Sequence, residues 1–341
     1  MKKYNVAVVG VGVVGIEMLR VLRQRNFPVG ELRVFARSAR EIEVDGEKYA
    51  VQVISPEGFN GIDIALFAGT EGEKGAAVTY AAEAVKRGAV VIDNGADFRM
   101  DPKVPLVVPE VNAGDVLKHK GIIANPNCST IQMVVALNPI HKKVGIKRII
   151  VTTLQASSGA GKSAVDQLNE ESTLIANGGF DNVHVSAKTK AMPQQLAYNV
   201  FPHIGSFVEG DYTNEEWKLV KETHKIMHAD KIRISATTVR VPVRTGHSES
   251  VYIETGRVIS ADKVRELLAN APGVIVIDDP KKNLYPLPKD AEGKDETFVG
   301  RIRQDAFVKN GLWLWVVADN LRKGAATNAV QIAECVISNL K

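Results

Sequence analysis

At 341 residues the chain is long enough for two domains, each with a core of its own. Apolar residues make up 45% and charged residues 24%, the balance of an ordinary globular protein. The net charge of +4 is spread without basic runs, which gives nucleic-acid binding little support. The two cysteines, Cys128 and Cys335, lie far apart with neither a CxxC nor a nearby histidine cluster, so no disulfide framework and no metal site are expected. The opening MKKYNVAVVGVG superficially resembles a secretory leader, but glycines break its apolar run and no small-residue cleavage site follows. With no apolar stretch of membrane-spanning length, a soluble cytoplasmic protein is the expectation.

In chain order, short apolar runs first alternate with helix-like stretches. Strands are predicted at Asn5–Val9, Leu32–Phe35, Ile62–Phe67, Val90–Ile92 and Gly121–Ala124. Helices are predicted over Gly15–Arg25, where Ile16, Leu19 and Leu22 recur at helical spacing, and over the alanine-rich Ala76–Lys86. This alternation predicts a parallel sheet with helices on both faces. From about Ile149 the strands become longer and alternate: Arg148–Thr153, Arg233–Val243, Glu249–Thr255, Val274–Ile277 and Trp313–Val317. Helices are predicted between them at Ser163–Asn177, Asn214–Met227 and Ala261–Ala269, giving a second, α+β domain with a mostly antiparallel sheet. Asn328–Asn339 carries helical periodicity again, and no internal repeat or Pro/Gly/Ser linker interrupts the chain.

The run Gly10-Val-Gly12-Val13-Val14-Gly15 follows a predicted strand and opens a predicted helix. Its glycines permit a tight turn and close approach of backbone N–H groups to a pyrophosphate, which the positive end of the helix favours. The second strand ends in Phe35-Ala-Arg37-Ser38-Ala-Arg40 with no acid before Glu41. An acid there accepts the ribose hydroxyls of NAD, whereas Arg37 and Ser38 suit the 2′-phosphate of NADP, so NADP is the expected cofactor.

Cys128 falls between a predicted strand and an apolar helix, in Asn125-Pro-Asn127-Cys128-Ser-Thr130, among residues of N-cap type. A helix N-terminus lowers a thiol's pKa and offers backbone N–H groups to an oxyanion; equally, a free cysteine is often just a small buried apolar residue. Cys335 sits on an apolar helical face and is read as structural. Thiol chemistry on a carbonyl needs a proton shuttle, and His247 has the most suggestive setting of seven histidines. It follows Arg240-Val-Pro-Val-Arg-Thr-Gly246 and precedes a strand, as though pinned at a hairpin.

These residues resemble the aspartate-semialdehyde dehydrogenase family, which shares the glyceraldehyde-phosphate dehydrogenase type of fold. The resemblance covers nearly the whole chain and rests on Asn125–Thr130, Gln155-Ala-Ser-Ser158-Gly159-Ala-Gly161, Arg240–His247, Val91–Arg99 and Asp319–Ala326. It implies a Rossmann-type dinucleotide-binding domain over 1–127 with a returning C-terminal helix over 322–341, and a catalytic and dimerisation domain over 128–321. It also implies reductive dephosphorylation of L-aspartyl 4-phosphate to L-aspartate 4-semialdehyde with NADPH, on the way to lysine, diaminopimelate, threonine, methionine and isoleucine. Cys128 would form a thioester that hydride transfer converts to a thiohemiacetal and then the aldehyde. His247 would be the acid–base partner and Gln155 would orient the reacting groups. Arg240 would grip the substrate carboxylate and Glu215 its ammonium; Arg99, Lys218 and Asn127 would meet the phosphate. Gly10, Gly12, Val13, Val14, Gly15, Arg37, Ser38, Ser158, Gly159, Gly161 and Asn320 would contact the cofactor. Such enzymes are homodimers or homotetramers.

Three positions depart from the family pattern. The loop Gly10–Gly15 is one residue shorter and lacks a threonine; Asp97 brings a negative charge close to Arg99; and Gly205 stands where an aspartate is usual. Two other functions remain open on the sequence. One is reduction of another activated carboxyl group, such as N-acetylglutamyl phosphate or an acyl-CoA, which Cys128 and His247 would serve equally. The other is a non-catalytic, NADP-binding regulatory protein. The pairing of Arg240 with Glu215 suits a free amino acid and favours aspartyl phosphate.

Overall fold

The computed structural model describes residues 2–69, 72, 75–180 and 183–339. It divides into two compact units, Met1–Asn127 with Ala325–Lys341, and Cys128–Gly324. No helix among the described residues is long and apolar enough to cross a membrane.

The first unit begins β1 (Tyr4–Val9), α1 (Val13–Gln24), β2 (Val29–Ala36), β3 (Arg40–Val44), β4 (Glu47–Val53) and β5 (Ile64–Phe67). It continues with α2 (Ala76–Lys86), β6 (Val90–Asp93), a short α3 (Pro109–Asn112) and β7 (Ile122–Ala124). The strands form one sheet in the order β3-β4-β2-β1-β5-β6-β7, parallel throughout except at β3–β4. Both faces of β1 are covered, which is why it reads as an unbroken apolar run. Val6 and Val8 pack with Met18 and Leu19 of α1 on one side, while Ala7 and Val9 pack with Phe59, Ala77 and Ala81 on the other. The doubly covered parallel sheet agrees with the sequence reading.

That reading does not anticipate β3 and β4. They are a hairpin turned at Asp45 and Gly46, whose φ values of 51° and 81° are both left-handed, as a tight primed turn requires and an Asp-Gly pair supplies. Most of their side chains are exposed or half-exposed, so no apolar run marks them.

The second unit comprises α4 (Cys128–Val144), β8 (Ile146–Gln155), α5 (Lys162–Ala176), α6 (Val183–Ser186), α7 (Asn214–Met227), β9 (Arg233–Arg240) and β10 (His247–Thr255). There follow α8 (Ala261–Ala269), β11 (Val274–Val276), α9 (Pro288–Ala291), β12 (Thr297–Gln304) and β13 (Gly311–Ala318). Its sheet runs β11-β12-β13-β10-β8-β9. The three inner pairings are antiparallel and the two outer ones parallel, a mostly antiparallel sheet as expected. Strand β12 was not foreseen. Strand β9 stops at Arg240 instead of Val243, because Pro242 has no N–H to continue the ladder.

The connection after β9 is not a hairpin. Strand β8 lies between β9 and β10, so the 241–246 segment crosses the end of β8. There Val241 N–H donates to the Gln155 carbonyl, and the Ser157 and Ser158 amides donate to the carbonyls of Val243 and Arg244. The last helix, α10 (Thr327–Asn339), belongs to the first unit, where Ala329, Val330 and Ala333 join the cluster of Val6 and Val8.

Candidate active site and dinucleotide cavity

Three strands of the second unit meet at one edge of its sheet. Gln155 ends β8 and is the register partner of Arg240, which ends β9, while β10 runs the opposite way and starts with His247 at the same edge. Cys128 is the first residue of α4, and Glu215 lies in the first turn of α7. A capping box holds that turn: Glu216 N–H donates to the Thr213 hydroxyl at 3.3 Å, and Thr213 N–H donates to the Glu216 carboxylate at 2.7 Å. Glu215 is buried; it accepts from Gln155 Nε2 at 3.3 Å and pairs with Lys218 Nζ at 3.2 Å. The i,i+3 spacing thus brings these two charges together on one helix face.

Arg240 is 4% exposed. Its Nη1 donates to the carbonyls of Ala156 and Gln155, but its Nε has no partner among the described residues. Burial lowers its pKa, while Glu215 and Cys128 oppose that shift, which sets the guanidinium within electrostatic reach of both. A buried cationic fork with a donor left over is suited to a carboxylate.

His247 is fully buried. The sequence placed it in the turn before a strand; instead it opens β10, and that strand order removes it from the surface. Ala156 N–H donates to its Nδ1 at 3.0 Å, so the neutral ring carries its proton on Nε2, which has no partner among the described residues. Burial pushes its pKa from 6.5 down to about 3; the Arg240 charge adds to the shift and Glu215 opposes it. The unfolded ring protonates below about 6.5 and the folded ring does not until about 3, so the folded state loses stability as pH falls through that window. Each pH unit costs about 1.4 kcal/mol, or about 2 kcal/mol between pH 6.5 and 5. Urea unfolding at both pH values is expected to show a smaller loss for His247→Asn than for wild type; equal losses would contradict a ring held neutral.

Around the imidazole the backbone is tight. A Cβ on Gly159 would stand 3.1 Å from Nε2, and one on Gly324 would stand 2.8 Å from the Cβ of Cys128. Gly246 has φ 92° and a Cβ there would meet the Pro288 carbonyl at 2.8 Å. Asn320 is buried, accepts from Gly246 N–H at 2.9 Å and donates to the Ser158 hydroxyl at 3.0 Å, tying the loop before His247 to the 157–160 turn. Gly161 has φ 89° with open space beside it. The sequence marks Gly246 only as a turn and gives Gly324 no role, because the groups they crowd lie 42 and 196 residues away.

In the first unit, Arg99 is buried, with Nε donating to the Asn125 carbonyl at 2.9 Å and Nη2 to the Asn94 carbonyl at 2.7 Å. Asn125 is held in turn by Asn94 and Asn328. Asn127 is buried just ahead of α4. Asp97 accepts from Gly72 N–H at 3.0 Å.

The same unit has a cavity of about 740 Å³ lined by Gly10, Gly12, Arg37, Arg40, Ala68 and Tyr80, among others. Gly10 has φ 98° and Gly15 packs so closely that a Cβ would fall 1.9 Å from the Gly10 carbonyl oxygen. Gly12, the N-cap of α1, faces open space, and Val13 and Val14 begin the helix. The α1 amides thus open beside a cavity of cofactor size, which fits a dinucleotide pyrophosphate. Arg40, which also lines it, donates from Nη1 to Ser38 Oγ at 3.0 Å. Arg40 was not singled out beforehand; the unforeseen hairpin places it at the start of β3, beside the same cavity as Arg37.

A dinucleotide-type sheet, in a chain that also carries a cysteine at a helix tip with a buried imidazole and guanidinium, marks a nicotinamide-dependent oxidoreductase. Comparison with known proteins gives the family. The profile of the semialdehyde dehydrogenase NAD binding domain matches residues 5–119, and that of the semialdehyde dehydrogenase dimerisation domain matches 137–323. The chain is 54% identical to aspartate-semialdehyde dehydrogenase of Aquifex aeolicus, with 98% of both chains covered. It is 50% identical to that of Bacillus subtilis, covering 97% of this chain and 96% of the other. The crystal structure of aspartate semialdehyde dehydrogenase II complexed with ASA from Vibrio cholerae matches with a TM-score of 0.92 at 43% identity, covering 99% of each chain. The chain belongs to the aspartate-semialdehyde dehydrogenase family.

Proposed function

We propose that this protein catalyses the NADPH-dependent reductive dephosphorylation of L-aspartyl 4-phosphate to L-aspartate 4-semialdehyde, the step that feeds lysine, diaminopimelate, threonine, methionine and isoleucine synthesis. The observation that carries the reading is the buried Arg240, with its unpartnered Nε, close to Glu215 and Cys128. Arg240 receives the substrate α-carboxylate and Glu215 its ammonium, a pairing with no use for an N-acetylated substrate. Arg99, Asn127 and Lys218 hold the phosphate. The Cys128 sulfur, as its thiolate, attacks the acyl carbon and phosphate leaves, giving a thioester on Cys128. His247 holds the carbonyl oxygen through a hydrogen bond from its Nε2–H as negative charge gathers there, keeping its proton, and Gln155 orients the acyl group. The dinucleotide, when bound, supplies the hydride that reduces this carbonyl to the aldehyde level.

A phosphate-dependent assay in the reverse direction, with L-aspartate semialdehyde and with N-acetylglutamate semialdehyde, tests the substrate. Turnover is expected on the first and little on the second; no turnover on the first sinks the reading.

NADP is the cofactor we favour. Arg37 and Arg40 line the cavity and Arg40 holds the Ser38 hydroxyl, a cationic setting that suits a 2′-phosphate. Gly10, Gly12, Val13, Val14 and Gly15 frame the pyrophosphate, and Ser158, Gly159, Gly161 and Asn320 serve the nicotinamide end. Arg37→Ala is expected to lower kcat/KM for NADP about tenfold to a hundredfold while leaving NAD little changed. Equal loss with both cofactors overturns the assignment. A homodimer or homotetramer in the cytoplasm completes the reading.

A further inference from the structure

Glu249, the third residue of β10, is fully buried and is not used by the chemistry above. Neither of its oxygens makes a well-formed hydrogen bond among the described residues, and no cation acts on it. The polar group that faces it is the side chain of Gln132, also fully buried. Gln132 Nε2 reaches the His247 carbonyl at 3.5 Å, and its Oε1 is without a partner among the described residues.

The placement of these two residues follows from element periodicity. Gln132 lies four residues after Cys128 in α4, one helical turn below the sulfur on the same face. Glu249 lies two residues after His247 in β10, on the same face of the strand. The carboxyl and the carboxamide therefore meet one layer beneath the two reacting side chains.

We propose that Gln132 and Glu249 are a positioning pair, in which a carboxyl–carboxamide contact locks the first turns of α4 to the start of β10 and so fixes the Cys128 sulfur relative to the His247 ring. The pair works uncharged. A carboxylate can only accept, which leaves the Gln132 oxygen unanswered; a carboxylic acid donates its O–H to that oxygen and accepts from the amide in return. Burial without a counter-charge pushes Glu249 well above the ordinary carboxylate range, against the smaller opposing pull of the Gln132 side chain, and so favours its acid form.

The test compares Glu249→Gln, Glu249→Ala and Gln132→Met with wild type. It reads kcat and KM per folded site, and the rate at which iodoacetamide alkylates Cys128, resolved from Cys335 by peptide mass. Displacement of the reacting groups predicts that Glu249→Ala and Gln132→Met lower kcat about tenfold to a hundredfold with KM changed by less than about threefold. Both are also expected to alter the alkylation rate. Glu249→Gln, which keeps an uncharged donor and acceptor, retains most of kcat. Wild-type kcat in Gln132→Met, or a Glu249→Gln as impaired as Glu249→Ala, overturns the proposal, and if Glu249→Ala does not fold the other two variants decide. The inference rests on the thiol reading above. Its alkylation arm needs no substrate, so a wrong substrate assignment and a wrong positioning pair give different results.

Discussion

Cys128→Ala is expected to lower turnover at least about ten-thousandfold, because the proposed reaction runs through an acyl bond to this sulfur. The loss should fall on kcat. Arg240, Glu215 and Gln155 hold one another and the backbone through contacts that do not involve the sulfur, so the ligand cradle survives the change. Dinucleotide binding, measured by fluorescence titration, is expected to persist, since every residue lining the 740 Å³ cavity belongs to the other unit. Residual activity above about one per cent of wild type would remove the covalent step from the mechanism.

His247 carries the second large effect, and its hydrogen bond decides which variant is informative. With Nδ1 committed to the Ala156 amide, the ring presents Nε2–H to the site as a donor. His247→Ala removes that donor and is expected to lower kcat about a hundredfold to a thousandfold, the usual cost of one lost oxyanion contact. Glutamine can carry an N–H to nearly the position of Nε2, yet cannot accept a proton. His247→Gln is therefore expected to recover at least tenfold over His247→Ala. Equal rates for the two variants would show that the ring acts chiefly by taking up a proton.

The features legible in the sequence were those whose physical cause is local. The loop Gly10–Gly15 announces itself because its glycines answer to a turn and a helix that follow within a few residues, and β1 reads as a strand because both its faces are buried. The placement of Cys128 at a helix tip was visible for the same reason. What could not be read was whatever depends on partners far along the chain. His247 looks like a turn residue until β8 is seen to lie between β9 and β10. Gln132 looks like a stray polar residue on an apolar helix, and Glu249 like the exposed side of an alternating strand, until each is found to face the other. The β3–β4 hairpin carried a local signal in Asp45-Gly46 that went unread, and with it went the position of Arg40.

The first unit is closed by a helix that follows the whole second unit in the chain. Ala329, Val330 and Ala333 of α10 cover the same layer as Val6 and Val8, more than three hundred residues earlier. During synthesis, the nucleotide-binding half therefore waits with an open apolar flank while the whole Cys128–Gly324 segment is translated and free to fold. Removal of α10, which lies outside the candidate active site, would leave that flank bare and turn the truncation into an aggregation defect.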